Sequence, residues 1–450
     1  MPARYPSQIK DPGPLAEPLT FAFSGKTAPN RFMKAALTER LSSWHPTNRE
    51  TRGVPSKELL RVYQRWGEGL IGVILTGNIM VDFDSLESAG NMIIPPGSTF
   101  EGERFEGFQQ LATRAKAHGS LVLGQVSHPG RQVERSLDPN PLSASDVQLE
   151  TEFGGMKFNK PRAASLEEIK DIVERFTHAA EYLHRAGFDG IQLHGAHGYL
   201  LAQFLSQTTN KRSDHYGGSL HNRARLILEI AQSIRQKLPS SSGFILGIKI
   251  NSVEFQQDGF TTEEAKDLCR LLEQNEFDFI ELSGGTYQSL QFVHKRDSTR
   301  KREAFFLEFA DKITPAVTKT KTYITGGFKT LDGMVNALKT VDGVGLGRPL
   351  CQEFRLAKDF LQGQNSTGGA ILPILDQDDF GTTVVVARAQ IKQVGRDQEP
   401  TDMSVQENVD GFLKDMGTWT ENIKLGVDRV DGIVDLMSVK TIPYGSVAAE

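Results

Sequence analysis

Cysteine is scarce in this chain of 450 residues, where only Cys269 and Cys351 occur. Two isolated thiols exclude an iron–sulfur cluster held by thiolates, and they equally exclude a zinc site rich in cysteine. Such sparse cysteine usage also favours a reducing compartment over a secreted, disulfide-linked protein.

Long hydrophobic runs and a strong charge of one sign are also absent. The longest apolar run, residues 70–81, contains Thr76 and Asn78 and is too short to span a bilayer. Residues 1–10 lack the apolar core of a signal peptide. The formal net charge is -5, so no basic field favours nucleic acid or an anionic membrane as a partner. We expect a soluble, cytoplasmic protein.

What the chain does contain is a regular alternation of strand and helix patterns. Apolar runs without alternation predict strands buried on both faces, at residues 31–37, 70–78, 121–127, 188–193, 244–250, 277–283, 322–325 and 344–346. Helical spacing lies between them, at residues 56–68, 105–118, 165–185, 221–238, 262–274, 303–317, 331–339 and 352–361. The third of these helices opens with a capping-box spacing from Ser165 to Glu168.

Eight such units predict an α/β fold, a (β/α)8 TIM barrel over residues 31–363. A doubly wound sheet is the rival, but no Gly-x-Gly-x-x-Gly follows the first strand. Residues 1–30 form a lead-in with a short hairpin. Residues 364–450 are a C-terminal extension, weakly helical at 405–419 and otherwise irregular. It is either a solvated tail or a segment that packs on the barrel, as Leu372, Ile374, Phe380 and residues 384–386 would support.

Polar residues and glycines follow the predicted strands, where the active sites of barrel enzymes lie. From the first strand to the eighth these are Thr38, Gly77, Asn78, Gln125, His128, His194, Lys249, Asn251, Gly284, Gly285, Gly326, Gly327, Gly347 and Arg348. Because parallel strands end at one edge of the barrel, we expect these residues to share one rim.

The run from His194 to Tyr199, His-Gly-Ala-His-Gly-Tyr, is the densest chemical cluster. Two glycines allow a sharp exit from the strand, so that both imidazoles and the phenol can meet. Paired imidazoles can hold one oxygen of a polarised substrate, and a phenol can donate a proton. A zinc site is not expected, because His197 is three residues on and no third ligand is fixed nearby. Purely structural histidines remain an alternative.

The seventh and eighth strands end in Thr325-Gly326-Gly327 and Gly345-Leu346-Gly347-Arg348. In barrels, phosphate often binds the loops after these two strands, on backbone N–H groups. A phosphate-bearing flavin fits this rim. Lys249 could instead form an imine with a sugar phosphate or with pyridoxal phosphate, as in an aldolase or isomerase, and the residues alone leave both readings open.

Several blocks in order resemble the Old Yellow Enzyme family of FMN-dependent ene-reductases. The blocks are Asn-Arg-Phe-Met-Lys-Ala-Ala-Leu-Thr at 30–38, Gly-Gln-Val-Ser-His-Pro-Gly-Arg at 124–131, His-Gly-Ala-His-Gly-Tyr-Leu-Leu at 194–201, Gln-Phe-Leu-Ser at 203–206, and Tyr-Gly-Gly-Ser at 216–219. The resemblance covers about residues 20–363.

The resemblance implies a set of FMN contacts. Thr38 would hydrogen-bond the flavin O4, Gln125 the pyrimidine edge, and Lys249 would stabilise the reduced ring near N1. The ring would be lined by Ala35, Ala36, Leu37 and Gly77, and the phosphate held by Gly326, Gly327, Gly347 and Arg348. Glu39 and Arg40 would add charge beside the substrate mouth.

The resemblance also implies the reaction. NADH or NADPH would reduce FMN and leave, and an activated alkene such as an enone, enal, nitroalkene or quinone would take the same site. His194 and His197 would grip its oxygen, hydride would pass from flavin N5, and Tyr199 would donate the proton. A possible homo-oligomer, a barrel aldolase with Lys249 as nucleophile, and a non-catalytic flavin-binding barrel remain open. The basic loop at 286–302 could meet a 2′-phosphate of NADPH or simply be solvated.

Overall fold

A computed structural model describes residues 2–150, 157–251, 260–283, 307–375, 379–425 and 432–446. The central sheet has eight parallel barrel strands, labelled in chain order: β1 (Phe32–Lys34), β2 (Val73–Met80), β3 (Leu121–Ser127), β4 (Gly190–Gly195), β5 (Ile245–Asn251), β6 (Phe279–Ser283), β7 (Lys321–Thr325) and β8 (Gly343–Leu346). A ninth strand of two residues, Met92–Ile93, pairs with the end of β2. Each strand pairs with the next, and β1 pairs with both β2 and β8. The sheet is therefore a closed barrel, which confirms the predicted fold class.

All eight predicted strands exist, with ends that differ by a few residues. In seven of them, β1 to β6 and β8, every residue is buried, as a sheet covered on both faces requires. The largest shortfall is β1, where only three of the seven predicted residues are paired. The residues after Lys34 leave the sheet and belong to the rim.

Helices cover the barrel between its strands. They are α1 (Lys57–Glu68), α2 (Gly102–Lys116), α3 (Leu166–Arg185), α4 (Leu220–Lys237), α5 (Thr262–Gln274), α6 (Leu307–Ile313), α7 (Leu331–Ala337) and α8 (Leu356–Leu361). The capping box predicted at Ser165 is formed, with Glu168 bonded back to the cap. The predicted eighth helix is broken, since a separate turn at Pro349–Gln352 precedes α8. Part of the predicted sixth helix, residues 303–306, lies outside the described residues.

The lead-in contains the predicted hairpin, formed by Leu19–Thr20 and Thr27–Ala28. It is not loose, because Leu19 and Phe21 are buried in a cluster with Phe279 and Tyr323. Phe21 lies 5.9 Å from Phe279, ring centre to ring centre. Phe279 is the first residue of β6, and Ile245 of the same cluster is the first residue of β5, so this hairpin covers the barrel end opposite to the rim.

The C-terminal extension is helical and packs on the barrel. It forms α9 (Phe380–Gly395) and α10 (Gln406–Lys424). The end of α9 lies on α1, where the Arg61 guanidinium donates to Gly395 C=O at 2.9 Å. A small apolar cluster joins α10 to α9, built from Val386, Ala389, Met403, Val409 and Phe412. The weak helix predicted at 405–419 corresponds to α10, whereas α9 was predicted as irregular.

No helix in the described part of the chain is long and apolar enough to cross a bilayer.

Candidate active site

The chain leaves β4 through a left-handed turn that brings His194, His197 and Tyr199 together. His194 is part of β4, and His197 and Gly198 follow with φ angles of +57° and +77°. The sequence predicted that two glycines would make this exit, but His197 itself takes one of the two left-handed positions. A residue with a side chain pays roughly 1–2 kcal/mol for that conformation, so the surrounding contacts must hold His197 in place.

The two imidazoles face each other at the mouth of the barrel. His194 Nε2 lies 3.2 Å from His197 Nδ1, and the ring centres are 5.3 Å apart at an interplanar angle of 80°. The far nitrogens are engaged by neighbouring strands. His194 Nδ1 lies 3.1 Å from Ser127 Oγ at the end of β3, and His197 Nε2 lies 3.0 Å from Ser283 Oγ at the end of β6.

Two asparagines complete the surroundings of the pair. Asn78 Oδ1 lies 3.0 Å from His194 Nδ1, and Asn251 Oδ1 accepts from the His197 backbone N–H at 3.2 Å. Sequence reasoning placed both asparagines on the rim without a role. It did not single out Ser127 and Ser283, although each is the last residue of its strand and so stands at the rim level.

The environment keeps both imidazoles neutral. Burial lowers the pKa of His194 well below its usual value, and His197 and the Lys249 ammonium lower it further. The pKa of His197 is also well below its usual value, through burial and then Lys249. At neutral pH each ring therefore carries a single N–H. Which nitrogen bears that proton depends on the group bonded to the other nitrogen.

Tyr199 stands edge-on to His194, with ring centres 4.3 Å apart at 84°. It is buried and precedes the short helix Leu200–Leu205, whose first turn fixes its backbone. The phenol and the two imidazoles therefore form one cluster, as the sequence predicted.

A hydrogen-bonded chain crosses the barrel mouth below the histidines. Gln125 Nε2 donates to Gln192 Oε1 at 2.7 Å, and Gln192 Nε2 donates to Glu281 Oε2, also at 2.7 Å. The other oxygen of Glu281 lies 2.9 Å from Lys249 Nζ, and both side chains are buried. Gln125 and Lys249 were predicted site residues. Gln192 and Glu281, which join them, were not predicted. That these two side chains face each other becomes visible only when the register of the paired strands is known.

The residues from Ala35 to Thr38 form the neighbouring arc of the rim, between β8 and β2. Ala35 N–H bonds Leu346 C=O at 2.9 Å, and the Leu37 side chain lies against Gly347. Ala35 is buried, whereas Ala36, Leu37 and Thr38 are half-buried. The structure thus places this stretch and Gly347 side by side.

Gly77 belongs to the same arc, but its backbone is already occupied. Its N–H donates to Glu39 Oε1 at 2.9 Å and approaches the Tyr63 hydroxyl at 3.0 Å. A Cβ at this position would overlap Leu37 C=O and the Glu39 carboxylate. Close packing alone therefore accounts for glycine here.

The expectation that Glu39 and Arg40 add charge beside the substrate mouth is wrong. Glu39 is 4 % exposed and accepts from the Tyr63 hydroxyl. Lys34, fully buried, lies 3.8 Å from Glu39, and burial lowers the pKa of Lys34 to about 8. Arg40 turns inward toward Glu87, 3.9 Å away. Both charges are neutralised inside the protein, since a buried charge is costly unless it is paired.

The ends of β7 and β8 form a corner suited to a phosphate. Gly326 and Gly327 have φ angles of +150° and +80°, which side chains rarely adopt. The Thr325 hydroxyl is buried and has no hydrogen-bond partner among the described residues. Arg348 follows β8 and is half-buried. An unpaired buried hydroxyl beside a glycine pair and a guanidinium fits a ligand rich in oxygen acceptors.

Some predicted features cannot be compared with the structure. Gly284, Gly285 and the basic loop at 286–302 lie outside the described residues. In the part that is described, no cluster of three or more His, Cys, Asp or Glu side chains is arranged to hold a metal ion.

The sequence matches known flavin enzymes. The model of the NADH:flavin oxidoreductase / NADH oxidase family matches residues 14–365. The NADH-dependent flavin oxidoreductase nadA of Aspergillus parasiticus is 50 % identical over 424 residues, which is 94 % of each chain. The NADH-dependent flavin oxidoreductase iliE of Hypocrea jecorina is 31 % identical over 345 residues, 72 % of this chain and 83 % of that protein.

Solved structures share the fold. Morphinone reductase has a TM-score of 0.63 at 22 % identity, covering 82 % of this chain and 95 % of its own. A 2-naphthoyl-CoA reductase complex has a TM-score of 0.70 at 21 % identity, covering 82 % and 58 %.

These findings define a class: a flavin-dependent oxidoreductase on a (β/α)8 barrel. The chain belongs to the NADH:flavin oxidoreductase family, which is the Old Yellow Enzyme family. Its cofactors are FMN and a reduced nicotinamide nucleotide. The aldolase alternative loses its basis, because the family match defines a flavin enzyme over the whole barrel.

Proposed function

We propose that this protein is an FMN-dependent ene-reductase that uses NADH to reduce an activated C=C bond. The observation that carries the proposal is the facing pair of neutral imidazoles, 3.2 Å apart at His194 Nε2 and His197 Nδ1. An oxygen placed beside the pair, within hydrogen-bond distance of both nitrogens, can accept from both. Two such donors withdraw charge from a conjugated carbonyl or nitro group, and its β-carbon becomes electrophilic.

The outer contacts supply the tautomers that this role requires. Each neutral ring has one proton, so both inner nitrogens carry it only if both outer nitrogens accept. Ser127 and Ser283 hydroxyls can donate to His194 Nδ1 and His197 Nε2, over 3.1 and 3.0 Å. In this arrangement the Asn78 amide presents its nitrogen, instead of its oxygen, to His194 Nδ1.

Tyr199 is the proton donor in this proposal. Its ring contacts His194 directly, so a substrate oxygen held by the imidazoles lies within the same small volume. A proton delivered to the α-carbon removes the negative charge that the donors first stabilise.

The cofactor site follows from the same geometry. The phosphate would be held by Gly326, Gly327, Gly347 and Arg348, and the ring would lie beside the stretch Ala35–Ala36–Leu37–Thr38 and Gly77, with Gln125 and Lys249 at its edge. Bound FMN, reduced by NADH, supplies the hydride. Lys249 lies 2.9 Å from Glu281, so it would act on the ring as a hydrogen-bond donor from within an ion pair. NADH is proposed as the reductant because the relatives at 50 and 31 % identity are described as NADH-dependent.

Stopped-flow kinetics of the holoprotein test the proposal. In the Tyr199→Phe variant, flavin reduction by NADH keeps its rate, while reoxidation by 2-cyclohexenone slows about 10²-fold or more. A His197→Ala variant should weaken enone binding as well as slow its reduction. The proposal is wrong if the holoprotein oxidises NADH but transfers no hydride to any enone, or if Tyr199→Phe slows both half-reactions equally.

A further inference from the structure

The C-terminal helix α9 touches the residue that is expected to hold the FMN phosphate. Arg348 Nη1 donates to Thr383 Oγ1 at 2.5 Å. The Arg348 guanidinium also lies 5.7 Å from the centre of the Phe380 ring. Both partners belong to the first turn of α9, beyond residue 365, where the match to the family model ends.

The Thr383 hydroxyl is oriented for this contact. It is buried, and it donates its single proton within the helix, to Asp379 C=O at 2.9 Å or to Phe380 C=O at 3.2 Å. Because the proton is committed there, the oxygen lone pairs remain for the arginine. Phe380 offers its ring to the same cation at a distance typical of a cation–π contact.

The body of α9 is fixed to the barrel beyond this contact, toward its C-terminal end. Its last residue, Gly395, is bonded to Arg61 on α1, and Gln390 approaches Gln352 at 3.4 Å, just after the Arg348 turn. Arg388 lies 4.0 Å from Glu87, the carboxylate that also faces Arg40. The helix is thus tied to α1, to the turn after β8 and to the loop after β2.

We propose that α9 forms part of the FMN phosphate site, with Thr383 and Phe380 as positioning residues for Arg348. The inference rests on the proposed function, which places the phosphate at Arg348. A free arginine side chain samples many rotamers, and a phosphate must select the right one. Thr383 takes one of the five guanidinium N–H donors and orients the others, so part of this ordering is complete before the ligand arrives.

Flavin titration of the full-length apoprotein tests the inference, with quenching of flavin fluorescence as the readout. Thr383→Val is expected to weaken FMN about tenfold, the size of one lost hydrogen bond to a charged group, and riboflavin less than about twofold. Thr383→Ser, which keeps the hydroxyl, should bind both flavins as the unaltered protein does. Thr177→Val is the matched control. Thr177 is also buried, with its hydroxyl bonded to the carbonyl four residues earlier, but it lies on α3 beside Ser233.

A double variant shows whether Thr383 acts through Arg348. If it does, Arg348→Gln/Thr383→Val binds FMN no more weakly than Arg348→Gln alone, because the two changes remove the same interaction. Additive losses overturn the inference, as does a Thr383→Val effect that is equal for FMN and riboflavin. The proposed function fails separately, and visibly, if the unaltered apoprotein binds riboflavin as tightly as FMN or binds neither.

Discussion

Lys249 lies 2.9 Å from Glu281 inside the barrel mouth, and neither side chain is more than 6 % exposed. Removing one member of a buried ion pair leaves the other uncompensated, which costs about 3–5 kcal/mol. We expect Glu281→Gln to lower the free energy of unfolding by roughly that amount in urea titrations. The double variant Lys249→Met/Glu281→Gln should recover part of the loss, since no unpaired charge remains.

Glu181→Gln, at the surface pair with Lys237, is the control and should cost about 1 kcal/mol or less. Equal losses in the two single variants would contradict the prediction.

Ser127 and Ser283 should matter for catalysis without touching the substrate. Without the hydroxyl, the outer nitrogen of the adjacent histidine loses one hydrogen-bond donor, and the tautomer with its proton on the inner nitrogen becomes less populated. We expect Ser127→Ala and Ser283→Ala each to slow reoxidation by an enone about tenfold, by analogy with the loss of a typical hydrogen bond. Ser143→Ala is the matched control, because Ser143 is buried and bonded to Gln203. The idea fails if the control slows the reaction as much as the two variants.

Acid should destabilise the protein through its buried histidines. The pKa values of His194 and His197 lie well below 6.5, and burial lowers that of His128 to about 4. Below pH 6.5 the unfolded chain therefore binds protons that the folded chain does not, so stability falls as pH falls through that range. Each histidine contributes about 1.4 kcal/mol per pH unit. Relative to the unaltered protein, His194→Gln should lose about 1 kcal/mol less between pH 7 and 5.5 in urea titrations, and an unchanged pH slope would refute this.

Replacing glycine by alanine should destabilise the protein at Gly77 and stabilise it at Gly417. At Gly77 an added methyl would collide with Leu37 C=O and the Glu39 carboxylate, so Gly77→Ala should cost several kcal/mol and release FMN. Gly417 lies inside α10 with nothing within 4 Å of the added carbon. Gly417→Ala should raise the free energy of unfolding by about 0.5–1 kcal/mol, because alanine favours helix. Thermal denaturation of the two variants measures both changes, and a stable, yellow Gly77→Ala protein would contradict the prediction for Gly77.

The barrel could be predicted because its strands are apolar on both faces and its helices carry their own caps, as at Ser165. The helix α9 could not. Its second turn contains Val384, Val385 and Val386, a β-branched run that favours strand locally. The helix forms because the Asp379 side chain accepts from Thr382 N–H and because the barrel offers a surface to cover. Local propensity is overridden here by a cap and by tertiary packing.

In the site, the residues at the strand ends were predicted by position, while their partners were not. His194, Gln125 and Lys249 are chemically conspicuous, and the strand rhythm places them on one rim. Their partners are residue types that occur everywhere in proteins, and their role depends on which strands are neighbours in the barrel. These partners are Ser127, Ser283, Gln192 and Glu281. Glu39 is a case where position alone gave a wrong prediction. As a charged residue after a strand it was expected to face the barrel mouth, but its carboxylate accepts from the Gly77 amide inside the protein.

The contact between Gly395 and α1 determines where this chain can be truncated for recombinant production. A Cβ added to Gly395 would lie 3.1 Å from Glu58 Cβ and 3.4 Å from Val62 Cγ2. The backbone of α9 therefore packs directly against the side chains of α1. Trimming the gene at residue 365, where the match to the family model ends, would remove that cover from α1 and leave Val62 facing water. A recombinant version meant to stay in solution should therefore retain both terminal helices.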